Sequence, residues 1–308
     1  MSTPSNAMYE SSPGSSSGLR GITPATNPAI ASLYWSVRRE LWESRSIYIA
    51  PLAVAGLILL GFLISTVSLP RELSVPAAAL LLQPYEFAAL LLMLTTFLVG
   101  VFYCLDALYG ERRDRSILFW KSMPVSDATT VLSKAIIPIL VLPLVTFAIT
   151  VVTQLIMLLV NSSALAGHGR SIAPLWNHFP LFPMSVMLLY HLVVIHGLWY
   201  APIYCWLLLV SGWARRAPFL WAVLPLLAIA VVEKIAFNTT HFGSMLAQRM
   251  MGNGEGAGFT AGSSMSMDML DQINPGHFLM SPGLWIGLAI SAIFLAAAVR
   301  LRRDRGPI

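Results

Sequence analysis

The sequence predicts an all-α integral membrane protein with six transmembrane helices, and three observations carry that prediction. Charged residues make up 11% of the 308-residue chain against 56% hydrophobic ones, too little polar surface to cover a soluble globule. Six apolar runs are long enough to cross a bilayer, because a helix rising about 1.5 Å per residue needs about 20 residues for a hydrocarbon core of roughly 30 Å. Within those runs apolar residues do not alternate with polar ones, as they do in the roughly 10-residue strands of a membrane barrel.

Taken in order, residues 1–26 are rich in Ser, Pro, Gly and Thr and lack an apolar core, so they read as a disordered cytoplasmic tail and not as a cleaved signal peptide. Residues 27–45 then carry Ile30, Leu33, Tyr34, Val37, Leu41 and Trp42 on one helical stripe, with Arg38, Arg39, Glu40 and Glu43 assigned to the other side. Asn27 followed by Pro28 suits a helix start, and the aromatic stripe predicts an interfacial helix lying on membrane lipid. The spans are expected at 47–69, 85–108, 135–160, 181–210, 219–237 and 283–299, within one membrane domain over 27–305 that leaves 306–308 as a tail. Pro51, Pro138, Pro143, Pro202 and Pro225 fall inside them, where membrane helices accommodate kinks. The loop 238–282 has a glycine-rich middle, "GNGEGAGFTAGSS", between two amphipathic pieces, which predicts a short exoplasmic helical hairpin before the last span.

A net charge of +5 invites a nucleic-acid reading until the charges are sorted by segment. Of nineteen Lys and Arg, all but Arg71, Arg170, Lys234 and Arg249 fall in the N-terminal segment, the loop 109–134, the Arg215–Arg216 loop or the C-terminus. This is the positive-inside pattern: it explains the basic balance without nucleic acid and predicts that both termini and the 109–134 loop are cytoplasmic. The expected setting is the cytoplasmic (inner) membrane of a bacterium. Cys104 and Cys205 both lie in expected spans, so no loop disulfide is predicted.

The 109–134 loop begins "GERRDRSILFWKSMPVSD", from Gly110 to Asp127. Glu111, Arg112, Arg113, Asp114 and Arg115 alone would pass for a solvated connection. Ile117, Leu118, Phe119 and Trp120 change that reading, because about 0.8 kcal/mol per buried CH2 favours covering them with lipid or a partner. Pro124 is expected to stop a brief helix, and Ser126 and Asp127 to cap the next one.

At these residues the chain resembles the permease subunits of type-two ABC exporters, those with the type V fold. The resemblance rests on Glu111 and Arg112, Ser116, Ile117 to Trp120, Pro124 with Val125 and Ser126, and Lys134; many members carry Gly-Thr in place of Ser116-Ile117. It implies that residues 111–121, Lys121 included, form a coupling helix docking into a separate ABC ATPase subunit, beside a second permease copy or homologue. No G-x-x-x-x-G-K-[ST] phosphate loop occurs in the chain, so ATP and Mg are expected to be used by the partner, with no cofactor and no catalysis here. A membrane-embedded enzyme and a non-transporting anchor or sensor are the alternative readings.

Polar residues inside expected spans are candidates for a translocation path: Gln154, His191, His196 and Glu233. On an α-helix His191 and His196 point about 140° apart, which favours interhelical hydrogen bonding over a paired site. Glu233 beside Lys234 reads first as a pair reaching the headgroups, and as an outer-gate residue second. Met245, Met250, Met251, Met265, Met267, Met269 and Met280, with His241 and His277, crowd the 238–282 loop; they read as adaptable apolar surface and not as a metal site.

Overall fold

Pro28 has no backbone N–H to leave unsatisfied, and the first helix, α1, starts there and runs Pro28–Glu43. The computed structural model describes residues 28–68, 78–122, 125–167, 169, 171–178, 181–251 and 279–304. The expected tail at 1–26, the stop at Pro124, the glycine tract, the second hairpin piece, Met265, Met267, Met269 and His277 lie outside the described residues.

Every regular element among the described residues is helical, and six helices are long and apolar enough to span a membrane. After α1 the chain forms α2 (Ser46–Ser68), α3 (Ala78–Ala107), and the short α4 (Tyr109–Arg113) and α5 (Ser116–Ser122). The third span comprises α6 (Asp127–Ile136), a π-helical segment (Ile137–Val141) and α7 (Leu142–Gly167). After α8 (Ala173–His178) the fourth passage follows: α9 (Leu181–Tyr190), a second π-helical segment (His191–Trp199) and α10 (Ala201–Trp213). The remaining helices are α11 (Pro218–Phe237), α12 (His241–Met251) and α13 (Pro282–Asp304).

Two helices extend beyond the expected spans for a physical reason. The helix that carries the third span starts at Asp127, where the Ser126 cap is expected and ahead of the apolar run from 135: Ser126 accepts from the Thr129 amide at 3.1 Å, and the first polar turns face other helices. The last span runs to Asp304 because Arg302 turns back into the protein.

The main apolar cluster joins Ile47 of α2, Tyr103 and Cys104 of α3, Ala135 and Leu142 of the third span, and Tyr204 and Leu208 of α10. A second cluster, towards the other end of α3 and α7, gathers Phe62, Tyr85, Ala88, Met157, Leu158 and Met184. On α11 only Ala222 is buried, and Phe219, Leu224, Leu227, Val232 and Ile235 face outward, the composition a lipid-facing helix needs.

The π segments lie against each other. Pro138 removes an amide donor in the first, and Pro202 follows the second, so both wide turns occur beside a lost helical hydrogen bond. Gly197 permits the contact: a Cβ there would stand 2.5 Å from the Ile139 carbonyl oxygen.

Candidate functional site

The loop after α3 starts with a break that is stabilised from another span. The Ser211 hydroxyl, on α10, accepts from the amides of Leu108 and Tyr109 at 3.0 and 2.8 Å, satisfying the donors that the new helix α4 leaves free. Arg112 then reaches the end of the same α10 and donates to the carbonyls of Gly212 and Ala214 at 2.8 and 3.2 Å. A guanidinium on C-terminal carbonyls also meets the negative end of the helix dipole.

Glu111, one residue earlier, turns the other way into a buried ionic junction. One carboxylate oxygen is paired with Nη1 of Arg302, on α13; the other lies 3.1 Å from Lys134 Nζ, on α6, and 3.8 Å from Arg39, on α1. Lys134 Nζ also stands 2.9 and 3.0 Å from the two oxygens of Glu40, which in turn takes the Tyr103 hydroxyl at 3.1 Å and Arg39 at 2.7 Å. Arg302 Nε is 3.0 Å from Asp127. Three carboxylates and three cations thus close a network joining α1, α3–α4, α6 and α13, in which Glu40, Glu111, Lys134 and Arg302 are buried and Arg39 and Asp127 stand at the rim, which meets the demand that buried charge be paired. Burial alone would raise the Glu40 carboxyl, but Lys134 and Arg39 more than offset this and hold it below its ordinary value.

This placement revises two expectations. The sequence places Glu40 on the polar side of α1, but it is buried, since α1 packs on the bundle through Ser36, Val37, Glu40 and Leu41, leaving Ile30, Tyr34 and Trp42 exposed. Glu111 and Arg112, which the resemblance puts in the coupling helix, are buried and hold the loop in place.

The rest of the loop divides by face. Arg113 pairs with Asp114 in water at 3.0 Å, and Arg115 takes a left-handed backbone, φ 59°, that turns the chain from α4 into α5. The Ser116 hydroxyl donates to the Glu111 carbonyl at 3.4 Å, and Lys121 to the Arg303 carbonyl at 3.2 Å. Ile117 is fully buried and Trp120 lies under the Arg39 guanidinium, 3.8 Å from its ring centroid, whereas Leu118 and Phe119 are 58% and 59% exposed. Of the expected four-residue apolar patch, two residues anchor α5 and two are presented.

The path candidates do not come together. Gln154 is buried near the second apolar cluster, donating to the Tyr85 carbonyl at 3.4 Å. His191 and His196 lie in the second π segment, where the i→i+5 repeat brings residues five apart towards one face, correcting the 140° separation that α geometry gives. His196 is hydrogen-bonded through Nε2 to the Tyr204 hydroxyl at 2.9 Å, so its partner is on the continuation of its own passage and not on another span. Glu233 caps α12: its oxygens accept from the Thr239 hydroxyl and the amides of His241 and Phe242 at 2.9, 2.7 and 2.8 Å.

Helix α12 is docked at its other end too. Arg249 donates to the carbonyls of Trp199 and Gly283 at 3.0 and 2.9 Å, while Trp199 and Tyr200 donate to the carbonyls of Arg249 and Met250 at 3.0 and 3.2 Å. Burial lowers the Arg249 pKa, and Gly287 leaves the space its guanidinium occupies. Sequence reasoning missed Glu40, Tyr103, Asp127 and Arg302 as site residues; the one signal was the accumulation of both charge signs at the ends of apolar runs. No family model, no curated protein and no solved structure matches this chain.

Proposed function

We propose that the chain is the membrane-spanning permease subunit of an ATP-driven ABC exporter, which lines a substrate path and is moved by a separate ATPase subunit through residues 110–127. The observation that carries this reading is the two-sidedness of α5. Leu118 and Phe119 stand out from the protein, and Ile117, Trp120 and the junction behind them fix the helix to α1, α4, α6 and α13.

Such a helix can work as a lever. A flexible loop bearing Leu118 and Phe119 would bind a partner but absorb its movement. A loop locked by buried ion pairs passes displacement to the spans, which is what rigid-body switching between two accessible states requires. Mg and ATP belong to the partner in this scheme, and a second permease copy or homologue completes the path.

The test is affinity purification of the tagged chain from mild-detergent membranes, with bound proteins identified by mass spectrometry, beside a Leu118→Ala, Phe119→Ala variant. Trp120 is kept in that variant because it packs under Arg39. The expected result is an ABC-type ATPase held by the parent and lost from the still-folded variant. Its absence from the parent in every lipid and nucleotide condition sinks the reading.

A further inference from the structure

We propose that the outer face of α1 is a binding surface for anionic phospholipid headgroups, organised around Arg38. On a helix turning about 100° per residue, Tyr34, Trp35, Arg38 and Trp42 lie across from the residues that pack on the bundle, Ser36, Val37 and Glu40. Tyr34, Trp35 and Trp42 are 60%, 61% and 73% exposed. The Arg38 guanidinium lies 5.2 Å from the Trp35 ring centroid and 5.5 Å from that of Trp42.

Arg38 therefore rests between two indoles, and no carboxylate among the described residues forms an ion pair with it. Its neighbours are otherwise engaged: Arg39 faces Glu40 and Glu43 at 2.7 and 3.7 Å, which leaves the outer face cationic. Arg45, exposed in the turn that follows, adds to that charge.

The occupant follows from position and chemistry. Only Ser44 and Arg45 separate α1 from α2, so the helix is held at the surface of the bilayer that α2 enters. Indole and phenol rings suit the headgroup layer, and a guanidinium offers a lipid phosphate two parallel donors while keeping its stacking on the rings. A net positive face beside such a layer selects negatively charged lipid over zwitterionic lipid. Because Arg39 and Glu40 follow Arg38 directly, lipid that steadies this face also steadies the α1 side of the ionic junction. The inference does not rest on the exporter reading.

The experiment is amide hydrogen exchange of residues 28–43 in the full chain, in nanodiscs of phosphatidylcholine alone and of phosphatidylcholine with phosphatidylglycerol. The expected result is exchange about fivefold slower with the anionic lipid, a difference that shrinks at high salt and is lost in Arg38→Gln. Among the described residues Arg38 stacks on rings of its own helix and pairs with no carboxylate, so that variant is expected to melt in detergent at the parent temperature, which separates lost binding from lost folding. Equal exchange in the two lipids for the parent overturns the proposal. So does a difference that survives Arg38→Gln, or protection that depends only on an added protein and not on lipid charge.

Discussion

Glu111 is the residue on which the junction turns, because it faces Lys134 and Arg302, two cations that are themselves buried. Glu111→Gln removes their shared counter-charge without removing volume; Lys134 keeps Glu40 and Arg302 keeps Asp127, so the cost falls below the about 3–5 kcal/mol of leaving a buried charge unpaired. A measurable fall in melting temperature of the detergent-solubilised variant is the expected outcome; an unchanged value would show the junction to be hydrated. Glu40 adds a pH dependence. Its folded pKa is lowered, so its stabilisation is fully present above the ordinary carboxyl value of about 4.3 and is lost as pH falls through the lower folded value. Thermal scans at descending pH are expected to show a smaller acid-induced fall in Glu40→Gln than in the parent, although the variant starts from a lower melting temperature at neutral pH.

At the scale of elements, the contact between the two π segments depends on the missing side chain of Gly197. Gly197→Ala sets a methyl against the Ile139 carbonyl, a backbone atom with little room to move, and the expected outcome is a clear loss of thermal stability, whereas Gly56→Ala, with open space around it, is expected to be silent. The six spans were legible in the sequence because each is a continuous apolar run, and Ser126 as a cap was legible from residue type and position. The π turns were not, since Pro138 and Pro202 signal only a lost hydrogen bond and not which wider repeat replaces it. For the same reason the sequence alone sets His191 and His196 on different faces, as α geometry does, where the π segment turns them towards one. The charged loop misled differently: alternating Glu, Arg and Asp reads locally as a solvated surface, while the partners that bury Glu111 and Glu40 lie 191 residues away at Arg302 and 94 away at Lys134. Glu233 reads in the sequence first as a residue reaching the headgroups and second as a gate, whereas its oxygens cap a helix that begins eight residues later, at His241.

Across the whole molecule the charges are sorted by end. The junction, α5 and the C-terminal turn of α13 share one end, and α12 sits at the other, near Gly283, separated from Arg302 by the length of the last span. By the positive-inside rule the junction end is expected in the cytoplasm, the orientation that the proposed coupling of α5 to a subunit using cytoplasmic ATP requires. Labelling with a membrane-impermeant maleimide tests it cleanly, because the native thiols Cys104 and Cys205 are both fully buried and give no background. In intact cells Ser244→Cys, exposed on α12, is expected to react, and Ser122→Cys, exposed on α5, to react only after permeabilisation. The reverse pattern would place Leu118 and Phe119 on the side without ATP. The ion pairs and the fold would stand unchanged, and the lever would have nothing to move it.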